Sequence, residues 1–84
     1  MTETILITVD KEGKAHSSSY ASLELAEQAW EVARDAISSG QLIGVGQYRH
    51  EEDGQLGPER CIMISDTKMS RMFLRSTKEA RKRL

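Results

Sequence analysis

Leu23-Glu24-Leu25-Ala26-Glu27-Gln28-Ala29-Trp30-Glu31-Val32-Ala33-Arg34-Asp35-Ala36-Ile37-Ser38 is the stretch that decides the fold class. Leu23, Ala26, Trp30, Ala33 and Ile37 recur at +3 and +4, the period of an amphipathic helix, and Leu25, Ala29, Val32 and Ala36 form an adjoining stripe. Ser22 is a natural N-cap, Glu24 and Glu27 sit in the first turn where the helix dipole favours acids, and Gly40 follows the end. The alanines let such a helix lie close on a sheet. Its outer face, Glu24, Glu27, Gln28, Glu31 and Asp35, is acidic.

Strand patterns flank this helix. Upstream, Ile5, Ile7 and Val9 alternate with Leu6, Thr8 and Asp10, the period of a strand with one face more buried than the other. Asp10-Lys11-Glu12-Gly13-Lys14 supplies a turn, and Ala15 to Tyr20, rich in serine, returns as a weak edge strand. Downstream, Leu42 to His50 reads as a strand, Glu51 to Pro58 as an acidic hairpin loop, and Glu59 to Ser65 as a strand. The run Cys61-Ile62-Met63-Ile64 is apolar on both faces, which predicts a central strand or one covered on both sides.

The last segment has two readings. As a helix capped by Asp66, residues 66–84 place Met69, Met72, Phe73, Ser76 and Ala80 on one face, with a basic stripe beside it. As a strand, Met69 to Arg75 would fold back on Glu59 to Ser65, with Met69, Arg71, Phe73 and Arg75 mixing charge and core on one face. Helix is the favoured reading. The fold class expected is α+β: a small, mostly antiparallel sheet of three to five strands built on Ile5–Val9, Leu42–His50 and Glu59–Ser65. One long helix packs across one face, and a basic C-terminal helix or tail follows. Residues 1–67 form a compact α/β core, and residues 68–84 a basic segment of the same domain.

The 84 residues, 38% hydrophobic with a single cysteine and a single proline, exclude collagen-like, proline-rich and disulfide-stapled classes. The longest apolar run, Ile62-Met63-Ile64, is far short of the roughly 20 residues that span a bilayer. Met1-Thr2-Glu3-Thr4 opens with an acid and lacks the basic start of a signal peptide. The expectation is a cytoplasmic protein without membrane contact.

No motif carries catalysis. Cys61 sits inside an apolar run, which does not support an activated thiolate, and reads as a buried structural cysteine. His16 and His50 lack metal-ligand spacing, so no metal and no cofactor is expected. Gly44-Val45-Gly46 lacks the third glycine and the helix of a dinucleotide fingerprint, and points instead to a bulge or a close helix–sheet approach. Glu51-Glu52-Asp53 lies in a hydrophilic loop where carboxylates titrate ordinarily. A non-enzyme is expected.

Charge distribution is the strongest signal. Residues 1–67 carry 5 basic residues against 12 acids, a balance of −7, and residues 68–84 carry 7 against Glu79 alone, a balance of +6. Two partner classes follow. The acidic helix face and loop (Glu24, Glu27, Glu31, Asp35, Glu51, Glu52 and Asp53) would meet a basic site on another protein or a protein–nucleic-acid complex. The basic segment (Lys68, Arg71, Arg75, Lys78, Arg81, Lys82 and Arg83) would neutralise nucleic-acid phosphates, although Tyr20, Tyr48 and Phe73 are too few for a stacking platform. The commoner reason for such a run is a solvated face. Met63, Met69, Met72, Phe73 and Leu74 form a third signal, more often core, otherwise a surface that a homodimer would cover.

In size, in its acidic body and in lacking catalytic apparatus, the chain resembles the accessory and inhibitor proteins of phages and mobile elements, anti-CRISPR proteins among them. The resemblance rests on character and not on a motif. It implies action by protein–protein contact, with nucleic-acid binding through the basic segment as the alternative.

Overall fold

The computed structural model describes residues 3–50 and 53–84. The chain runs β1 (Thr4–Asp10), β2 (Ala15–Tyr20), α1 (Leu23–Ser38), β3 (Leu42–His50), β4 (Leu56–Met63) and α2 (Thr67–Arg83). The strands form one antiparallel sheet in the order β2-β1-β3-β4. The fold is α+β, and the long helix α1 lies on the sheet.

The first hairpin is built by Asp10. Its carboxylate accepts the backbone N–H groups of Glu12 at 2.9 Å and Lys14 at 3.0 Å, and Gly13 takes the left-handed turn position at φ 86°. This sets Val9 opposite Ala15 and Thr4 opposite Tyr20.

Strand alternation sorts the core to two sides. Leu6 and Val45 point to one face, where Trp30 and Ala33 of α1 close over them with Ile62 and Tyr20 alongside. Ile5, Ile7 and Val9 point to the other, where α2 lays Phe73, Met69, Met72 and Ala80. The more buried face of β1 is, as expected, the one that carries Ile5, Ile7 and Val9, and a helix covers each side of the sheet. Gly44 explains how α2 comes so near, while Gly46 makes room for a ring of its own strand. A Cβ at Gly44 would collide with the Phe73 ring, and one at Gly46 with the Tyr48 ring. The contact at Gly44 is the close helix–sheet approach that the Gly-Val-Gly run announces.

Two expectations are corrected. The fourth strand spans Leu56–Met63 and not Glu59–Ser65, and it lies at the sheet edge. Ile62 leans on the α1 side, while Met63 and Ile64 lean on the α2 side, so the run is apolar on both faces without being central. Cys61 is exposed and not a buried structural residue, because its strand is the outermost on that side. Residues 66–84 settle as a helix: Asp66 is the N-cap, its carboxylate accepting the Met69 N–H at 2.9 Å. No helix among the described residues is long and apolar enough to cross a membrane.

Candidate functional site

The outer surfaces of the two helices lie on opposite sides of the sheet and carry the residues the sequence singles out. On α1, Ala26, Trp30 and Ala33 are buried. Glu24, Glu31 and Asp35, spaced by whole turns, share the ridge facing away from the sheet, together with Gln28. Beside them Leu25 and Val32 stand 54% and 70% exposed, with Leu23 also exposed in the first turn. The helix thus presents an apolar ridge against an acidic one.

Not every predicted acid belongs to that ridge. Glu31 is paired with Arg34 at 2.8 Å on the helix itself. Glu27 turns toward the sheet edge, where its carboxylate accepts from Arg60 of β4 at 2.6 Å. Asp53 sits exposed in the β3–β4 connection and accepts the Gln55 N–H at 3.0 Å. Glu51 and Glu52 lie outside the described residues.

Arg60 is the residue that sequence reading passed over. Its guanidinium lies 3.9 Å over the Trp30 ring, its Nε donates to Gln47 Oε1 at 2.9 Å, and its other arm reaches Glu27. Gln47 in turn donates to Glu59 at 3.5 Å. This strap covers the tryptophan and ties α1 to β4 across 33 residues of sequence. No local pattern signals it, since each member is an ordinary polar residue until the sheet assembles.

On α2, Lys68, Arg71, Arg75, Lys78 and Lys82 fall on the outward ridge as their spacing predicts, and Arg83 is exposed at the end. Among the described residues only Lys82 of these pairs with an acid, Glu79 at 3.7 Å. Arg81 departs from the basic set. It turns inward 4.9 Å over the Tyr48 ring and donates to the Leu56 carbonyl at 2.9 Å. Burial there pushes the Tyr48 phenol above its ordinary pKa. The apolar quintet also divides: Phe73 is buried, Met63, Met69 and Met72 are half-buried in the same cluster, and Leu74 alone is well exposed.

His16 lies 3.4 Å from Asp10 in the hairpin. Among the described residues no three His, Cys, Asp or Glu side chains gather as a metal site. Comparison with protein-family models, curated proteins and solved structures finds no match to this chain.

Proposed function

We propose that this protein is a non-enzymatic binding module that docks through the outer side of α1 onto a basic, partly apolar surface of another protein or protein–nucleic-acid complex. The observation that carries the reading is the exposure of Leu25 and Val32 beside Glu24, Glu31 and Asp35. An apolar ridge supplies contact area, and flanking acids select a cationic partner and speed its approach. An accessory or inhibitory role follows naturally, because a module without chemistry of its own acts by occupying a surface.

The test is quantitative capture of partners by the wild-type protein, by Leu25→Ser/Val32→Ser and by Glu24→Lys/Glu31→Lys/Asp35→Lys. Partners retained by wild type and lost by both variants, with unchanged melting, support the reading. Equal retention by all three proteins sinks it.

The ridge of α2 favours a second reading, nucleic-acid binding, because its cations face outward with only Lys82 paired among the described residues. Anisotropy of labelled DNA and RNA against wild type and Arg71→Glu/Arg75→Glu tests it. Each phosphate contact adds about 0.9 to the salt slope, so removing two contacts flattens it by roughly 2. Truncation is unsuitable, since α2 covers one face of the core.

A further inference from the structure

We propose that the trough between β4 and α2 receives an extended, acid-bearing segment of a partner protein, added as a further strand along the edge of β4. This is independent of the α1 ridge. The sheet ends at β4, so the outer backbone groups of that strand have no strand partner among the described residues. Beside this edge runs an open trough of about 580 Å³, floored by Tyr48, Cys61 and Phe73. Leu74, 53% exposed, forms its helix-side lip.

A free edge and an adjoining apolar trough are the two parts that strand addition needs. Backbone hydrogen bonds hold the segment, and alternate side chains enter the trough. Exposed Lys78 at the α2 rim, with the charge of the inward-turned Arg81 behind it, selects acidic residues in the segment and outweighs Glu59, the one acid lining the site.

The edge itself argues for a foreign segment over a second copy. Pro58 offers no N–H, which directs pairing to the Arg60–Met63 half of β4. A second β4 would bring a second basic α2 rim, Lys78 and Arg81, to the same trough, a like-charge arrangement that discourages self-pairing.

Cys61 makes the proposal testable, being the only cysteine and exposed on the trough floor. Short random peptides displayed on phage are selected against the full chain, and alkylation of Cys61 by a maleimide reports occupancy. The expected peptides alternate apolar and acidic residues and slow alkylation by about tenfold or more at saturation. They lose about tenfold in affinity, some 1.4 kcal/mol, on Leu74→Asp and on Lys78→Glu, both exposed positions whose variants keep the wild-type melting temperature. Methylating alternate peptide nitrogens abolishes binding, and Leu25→Ser/Val32→Ser leaves it unchanged, which separates this proposal from the α1 reading. Selection that enriches no peptide protecting Cys61 overturns the proposal, as do peptides indifferent to both trough variants. Concentration-dependent dimerisation that protects Cys61 without peptide gives the trough to a second copy and also overturns it.

Discussion

The two helices reach the same sheet by opposite means. On the α1 side the helix is trimmed: Ala26 and Ala33 are buried and Ala29 half-buried, so the backbone settles onto Leu6 and Val45. One large residue, Trp30, fills what remains and is roofed by Arg60. On the α2 side the sheet is trimmed instead. Gly44 and Gly46 leave a notch in β3, and the rings of Phe73 and Tyr48 fill it. Small residues on a helix spread the contact along its length, whereas a notch in a strand concentrates it at one ring. The α2 side should therefore be the more brittle.

The largest effect tests that brittleness. Phe73 is 1% exposed, and Phe73→Ala should destabilise by about 3–5 kcal/mol in urea unfolding. Gly44→Ala should cost about 1–3 kcal/mol by overpacking, more if the ring cannot tilt aside. Combining Gly44→Ala with Phe73→Leu should cost less than the two separate losses added together, because the smaller side chain leaves room for the new methyl. Strict additivity would mean that the notch and the ring are not one unit.

Next comes the roof on the other side. Arg60 is partly exposed, so its ion pair with Glu27 counts for little, and the contact over Trp30 with the Gln47 hydrogen bond carries most of its effect. Arg60→Ala should cost about 1–2 kcal/mol and change the Trp30 fluorescence. Glu27→Gln should cost well under half of that.

The helix starts differ more gently. Asp66 holds the Met69 N–H at 2.9 Å, whereas the Ser22 hydroxyl accepts from Leu25 at a longer 3.4 Å. Asp66→Ala should cost about 1 kcal/mol and Ser22→Ala about half as much.

The smallest effect belongs to neither helix. Backbone donation from Lys14 holds the Asp10 carboxyl below its ordinary 3.8, with Glu12 and His16 helping. The native hairpin thus favours the charged form. Its contribution is whole above about pH 4 and fades as pH falls through the lowered native value. Asp10→Asn should flatten the acid limb of the stability profile only slightly, leaving neutral pH nearly unchanged.

How much of this was legible in the sequence depended on whether the signal was local. The α1 helix was legible to the residue, Leu23–Ser38, because cap, period and stop all lie within it. The close approach at Gly44 was legible as a glycine with no turn to serve, though not its occupant, 29 positions on, since nothing between them names Phe73. Of the two readings of the Cys61–Ile64 run, coverage on both sides holds and a central strand does not, because an apolar run reports burial and not neighbours. Cys61 followed that error. The acidic and basic ridges were legible from spacing, but Glu27 and Arg81 left their sets for Arg60 and Tyr48, contacts made only once β3 and β4 are in place. The trough beside β4 was not legible, because it exists only where α2 falls short of the last strand.

The order of the elements along the chain gives the glycine notch a history as well as a shape. Synthesis delivers β1 through β4 and α1 before α2, so Tyr48 and Leu56 are on hand to cover Ile5 and Ile7, whereas Val9 and Ile43 wait for Phe73. The strand fills the space over Gly46 with its own Tyr48 ring, but it has nothing to place over Gly44. The nascent sheet is thus a socket that only the last helix closes, and any delay in translating residues 67–83 lengthens the time it stands open to the wrong neighbour.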